Sequence, residues 1–146
     1  AASSVHHCNT HVVSWHAASS SVAAMTSSDP RRALGDLGEQ LAAEHLERQG
    51  FAIVARQHRT RFGEIDLIAC DGTTLAFCEV KTRRSATRIW DSLGAAKQRQ
   101  VRRMAAAYLA ETPARPRAKE LRFDAIGVVI DARGTFISLQ HLEGAF

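Results

Sequence analysis

Two apolar runs separated by Asp71-Gly72 constrain this chain more than any other feature. EIDLIAC (64–70) and TTLAFCEVK (73–81) flank the dipeptide. Asp-Gly between such runs is a strong short-range signal for a tight antiparallel hairpin. Taken as a two-residue loop, the turn pairs Cys70 with Thr73, Asp66 with Phe77 and Glu64 with Glu79. The two-residue period of a strand then sorts the side chains. Ile65, Leu67, Ala69, Thr74, Ala76, Cys78 and Val80 share an apolar face suited to packing against a helix. Glu64, Asp66, Ile68, Leu75, Phe77, Glu79 and Lys81 share the other, apolar near the turn and charged at its far end.

That charged end carries the chemistry. Like charges across a ladder weaken a sheet, and unpaired charges in a central strand are costly. A divalent ion with oxygen ligands offsets the repulsion. A salt-bridge network does so too, with Glu79 pairing to Lys81 along one strand and Glu64 reaching an arginine.

The remaining elements follow from periodicity. Leu34, Leu37, Leu41, Ala42 and Leu46 mark an amphipathic helix starting near Ala33 and stopped by Gly50. FAIVAR (51–56) reads as a strand and HRTRFG (58–63) as a basic loop. Asp91 or Ser92 is placed to cap a second helix that runs to about Glu111, before Pro113. LRFDAIGVVI (121–130) and TFISLQHL (135–142) read as a closing hairpin. The order helix, three strands, helix, two strands defines an α/β fold: a single domain with a mixed central β-sheet flanked by helices.

Residues 29–146 make up that domain. Residues 1–28 contain no Lys, Arg, Asp or Glu and are rich in Ser, Ala and His, so they read as a structureless tail, with Met25 as an alternative start. No run reaches the ~20 apolar residues of a membrane span. Cys8, Cys70 and Cys78 match no zinc spacing, and Cys70 and Cys78 read as buried small hydrophobes. A reducing cytoplasm suits them.

The formal net charge is +4 over 146 residues. Lysine occurs only at Lys81, Lys97 and Lys119, so the excess is arginine, which suits phosphate contacts. Arg83, Arg84 and Arg88 follow the second strand of the hairpin. Arg61 lies near Asp66, and Arg102 lies on the second helix. Together they point to nucleic acid as a partner, although each alone reads more readily as a solvated surface charge. Lys97 shares a stripe with Val101, Met104 and Tyr108, so it projects toward the sheet either to meet a phosphate or to snorkel at the core edge. Glu39 sits at the edge of the first helix's apolar arc, where it reaches the sheet end or simply complements the helix dipole.

GDLGE (35–39), GEIDLIA (63–69), FCEVKTR (77–83) and Lys97 resemble the YraN family of small bacterial proteins, within the PD-(D/E)XK nuclease superfamily. The superfamily's Pro is absent, since Ile65 precedes Asp66. The resemblance implies a restriction endonuclease-like αβββαβ core and an Mg²⁺- or Mn²⁺-dependent endonuclease acting on DNA, with branched DNA as the expected substrate. It implies Asp66 and Glu79 as metal ligands, aided by the Val80 carbonyl, with Glu39 as a helix-borne acid and Glu64 as a neighbouring one. Lys81 would orient or deprotonate the attacking water. Resolvase-like enzymes often cut as dimers, so a homodimer is among the expected assemblies. The alternative is a non-catalytic nucleic-acid-binding module on the same fold.

Overall fold

A computed structural model of the chain describes residues 10–13 and 29–146. The elements are β1 (Thr10–Val13), α1 (Pro30–Arg48), β2 (Ala52–Thr60), β3 (Gly63–Cys70), β4 (Thr74–Arg83), α2 (Ala95–Glu111), β5 (Glu120–Ile130) and β6 (Phe136–Leu142). The sheet order is β1-β6-β5-β4-β3-β2, and β4 and β5 are its parallel pair. The expected α/β fold with a mixed sheet and flanking helices is the one observed. From α1 to β5 the elements follow the order αβββαβ.

Local chemistry accounts for the helix ends. Asp29 Oδ1 accepts from Arg31 N at 3.0 Å, and Pro30 takes the first helical position. Gly50, at φ +93°, turns the chain out of α1, and Phe51 N donates to Leu46 O at 3.0 Å. One face of the sheet meets α1 through Ala42, Ala43 and Leu46, which pack with Leu67, Ala69, Ala76, Cys78, Ile126 and Val128. The other meets α2 through Val101, Met104, Ala105 and Tyr108, which pack with Ile65, Ile68, Leu75 and Phe77. Cys70 and Cys78 are buried and free, as expected.

The hairpin differs from expectation in register. Its pairs are Leu67↔Cys78, Ile68↔Phe77, Ala69↔Ala76 and Cys70↔Leu75. The turn is longer because the Asp71 side chain accepts from both Thr73 N (2.9 Å) and Thr74 N (2.7 Å), while Asp71 N donates to Thr74 O at 3.2 Å. The pairing of Asp66 with Phe77 and of Glu64 with Glu79 is therefore corrected. A slip of two residues keeps each side chain on its face, and the expected apolar grouping holds from Leu67 to Val80 but not at Ile65. That residue joins Ile68 in the α2 core, so alternation breaks at Asp66. Across from this break, between the pairs Arg56↔Leu67 and His58↔Ile65, Gln57 is held at φ +47°.

Three further expectations change. HRTRFG is strand as far as Thr60, because Arg59 and His58 pair with Glu64 and Ile65; Arg61-Phe62 alone forms the turn. α2 begins at Ala95 behind Gly94 and has no side-chain cap. Asp91 instead pairs with Arg88 at 2.9 Å, and the segment before the helix turns so that Ile89 and Trp90 lie over Gly127. A Cβ on Gly127 would come within 2.7 Å of Ile89 Cδ1 and 2.8 Å of Trp90, so glycine lets this cover sit close. Finally, Thr10–Val13, expected to be part of a structureless tail, pairs antiparallel with β6 from Thr10↔Leu142 to Val13↔Leu139. THVV, with β-branched Thr10, Val12 and Val13, lies along an otherwise unpaired edge. The rest of residues 1–28 lies outside the described residues.

Candidate active site

The β3–β4 ladder stops at Leu67↔Cys78. Beyond it the strands part, and Asp66 and Glu79 stand at the mouth of the notch. Asp66 bridges the gap: its Oδ2 accepts from Val80 N at 2.7 Å. Glu79 is 4% exposed, yet its Oε1 receives two ammonium groups, Lys81 Nζ at 2.6 Å and Lys97 Nζ at 2.9 Å. Lys81 comes from the same strand. Lys97 comes from the first turn of α2, on the stripe that buries Val101, Met104 and Tyr108.

Burial drives the Asp66 carboxyl up to about 7, and the neighbouring Glu79 charge adds to it. The Val80 N–H and the Lys81 ammonium oppose that rise without cancelling it, and Glu39 reinforces it. Two acids thus share a partly desolvated space in which full ionisation of both is unfavourable.

Glu39 stands beside this pair rather than in it. Gln57 Nε2 donates to Glu39 Oε2 at 2.9 Å. Half-burial raises the Glu39 carboxyl, the Gln57 bond lowers it, and Asp36 and Glu64 add to the rise. Glu64 is directed to Arg59 at 3.5 Å and is substantially exposed. Both pairings of the salt-bridge reading, Glu79 with Lys81 and Glu64 with Arg59, are therefore present. Gln57 was not legible as a site residue: its role depends on a left-handed backbone that nothing in AIVARQHRT announces. Gly38, one residue before Glu39, seats α1 on β4, since a Cβ there would run into the Thr82 side chain.

Among the described residues no three His, Cys, Asp or Glu side chains converge closely enough to hold an ion. Magnesium does not require three. It is commonly bound by one or two carboxylates, with waters and substrate phosphate completing the octahedron. Asp66, Glu79 and the Val80 carbonyl fit that donor chemistry, and the mutual strain of the two acids is what a divalent cation relieves.

The basic residues fall into two groups. Arg83 ends β4 and Arg84 and Arg88 follow it, all three exposed, with Arg83 Nη1 donating to Thr82 O at 2.9 Å and Arg88 paired to Asp91. Arg61 and Arg102 lie over aromatic rings, Arg61 at 4.7 Å from Phe62 and Arg102 at 5.1 Å from Phe123. Lys97, expected near the sheet, is there, but its partner is Glu79.

A mixed sheet between two helices, with a half-buried Asp66 beside a buried Glu79 and a lysine at its split end, defines a small α/β protein with an acidic–lysine centre. The family model described as "Uncharacterised protein family UPF0102" matches residues 38–128, from Gly38 on α1 to Val128 on β5. The chain belongs to the UPF0102 family. A UPF0102 protein of Parafrankia sp. (strain EAN1pec) is 43% identical over 115 residues, covering 77% of this chain and 95% of that protein. One of Chlorobium chlorochromatii is 43% identical over 119 residues, 77% of this chain and 90% of the relative. One of Symbiobacterium thermophilum is 48% identical over 99 residues, 66% of this chain and 82% of the relative. No helix among the described residues is long and apolar enough to cross a membrane.

Proposed function

We propose that this protein is a divalent-metal-dependent endonuclease acting on structured or branched DNA. The observation that carries the reading is the Asp66–Glu79 pair at the split between β3 and β4, with Lys81 on Glu79 at 2.6 Å. Asp66, Glu79 and the Val80 carbonyl would hold Mg²⁺ or Mn²⁺. When bound, the ion would supply Lewis acidity and a more acidic water.

The chain's own groups perform the rest. Lys81, held at Glu79 Oε1, would present its ammonium to the attacking water and the scissile phosphate. Lys97, held at the same oxygen, would neutralise a non-bridging phosphate oxygen. Glu39, fixed by Gln57, contributes negative field beside Asp66 and keeps its proton affinity high. Arg83, Arg84 and Arg88 extend from the end of β4 toward the polyanion. A cytoplasmic setting and a homodimer cutting both strands belong to the same reading.

A second reading has its own support. Lys97 and Lys81 already neutralise Glu79, which suits a non-catalytic nucleic-acid-binding module. Incubating branched and linear DNA with Mg²⁺ or Mn²⁺ separates the two. The wild type should cut, and Asp66→Ala and Glu79→Ala should not. Equal cleavage by all three proteins would assign the activity to a contaminant. Binding of DNA without any Mn²⁺ heat in calorimetry would leave the module.

A further inference from the structure

The charge on the outer surface of α2 is unopposed. From Ala95 to Ala110 the helix carries Arg99, Arg102 and Arg103, besides Lys97, which turns in to Glu79, and no acidic residue. The turn between β2 and β3 docks on the same helix, where Gln100 Nε2 donates to Phe62 O at 2.9 Å. Gly63, at φ +135°, permits this approach, because a Cβ there would stand 2.8 Å from Gln100 Nε2. Docking brings two guanidinium groups onto one ring: Arg61 at 4.7 Å and Arg103 at 4.4 Å from the Phe62 centroid. Arg102, the residue before Arg103, lies 5.1 Å from the Phe123 ring.

Cation–π attraction holds each of these guanidiniums over its ring but does nothing to cancel their mutual repulsion. No salt bridge to Arg61, Arg99, Arg102 or Arg103 is found among the described residues. The strip starts at Lys97, which touches Glu79, and at ~1.5 Å of rise per residue Arg103 lies roughly 9 Å further along α2. Guanidinium planes are surfaces on which unpaired bases stack, while their N–H groups meet phosphates. A duplex hides its base faces and can use only the charge.

We propose that Arg61, Phe62, Arg102, Arg103 and Phe123 form a docking strip for single-stranded nucleic acid leading away from the Asp66–Glu79 centre. This deepens the nuclease reading and rests on it for the direction of the strand: the expected substrate carries an unpaired segment beside the cut. The base-stacking surface itself depends on the packing of the β2–β3 turn against α2.

Fluorescence anisotropy with labelled single-stranded and duplex oligonucleotides of equal length, at two salt concentrations, tests this. The wild type should prefer the single strand. Combined Arg61→Ala and Arg103→Ala should weaken single-strand binding by about tenfold or more, the loss expected for removing base stacking. Arg61→Lys with Arg103→Lys keeps the charge and removes the planes. It should retain duplex binding and its salt dependence while losing the single-strand preference. Circular dichroism and thermal melting establish that each variant is folded. A lysine variant that matches the wild type in preference overturns the proposal, as does displacement of the oligonucleotide by poly-glutamate as readily as by unlabelled single strand. Wild type that gives Mn²⁺ heat abolished by Asp66→Asn, but no single-strand preference, sinks the strip and spares the metal centre. Single-strand preference without Mn²⁺ heat does the reverse.

Discussion

The Val80 N–H donates to Asp66 Oδ2 at 2.7 Å, at the level where the β3–β4 ladder ends. A side chain here replaces the main-chain partner that the parting strands no longer provide. The same bond fixes the carboxyl beside Glu79, so the geometry that ends the sheet also builds the acidic pair.

Asp66→Asn should stabilise the protein in the absence of added metal. Asparagine still offers Val80 N an oxygen acceptor but carries no charge to oppose Glu79. Because the folded carboxyl is raised from 3.8 to about 7, its cost to the fold grows as pH rises from the unfolded value and is full above the folded one. The gain is on the order of 1–3 kcal/mol at pH 8 and disappears under acid conditions. Chemical denaturation with chelator present measures it, and calorimetry should show Mn²⁺ binding abolished in the same variant.

Lys97→Gln should tighten Mn²⁺ binding by roughly three- to tenfold, since an ammonium no longer competes for Glu79 Oε1. Cleavage should fall despite the tighter binding. Titration calorimetry and a single-turnover assay read the two effects separately, and weaker Mn²⁺ binding would count against a shared site.

Gly38→Ala should cost about 1–3 kcal/mol through overpacking against Thr82. Thr82→Ala in that background should recover part of the loss by removing the hydroxyl. A double-mutant cycle by urea unfolding checks the coupling. No coupling would mean that α1 does not rest on β4 at this point.

Asp124→Asn should destabilise by about 3 kcal/mol, the usual effect of breaking a buried charged network. Burial alone would raise the Asp124 carboxyl, but His141 Nε2 at 2.8 Å and two bonds from Arg122 at 2.9 Å hold it below the ordinary 3.8. A carboxyl depressed in the folded state contributes stability above its unfolded value, and that stability is lost as pH falls through the folded one. The difference between variant and wild type should be full at pH 6–7 and close under strongly acid conditions. Urea midpoints across that range decide it.

Much of this was legible in the sequence, for physical reasons. Glu79-x-Lys81 and the Lys97 stripe were readable because period two and period 3.6 fix the faces of a strand and a helix. The register of the hairpin was not, because Asp71 accepts two N–H bonds and lengthens the turn. Ile65 moved to the other face because Gln57 adopts a left-handed conformation across from Asp66. α2 starts late because Ile89 and Trp90 cover Gly127, a tertiary contact that overrides the local capping signal at Asp91. The chain His45–His141–Asp124 joins residues 96 and 17 positions apart, a distance over which no local pattern carries information.

The parallel neighbour of β4 begins 46 residues later, with Thr74 aligned to Glu120. During synthesis the strand bearing Glu79 and Lys81 must therefore wait as an open edge until α2 and β5 have left the ribosome. Loop closure of that span precedes any reward from the ladder, which makes this step a natural rate limit for maturation and the interval most exposed to self-association.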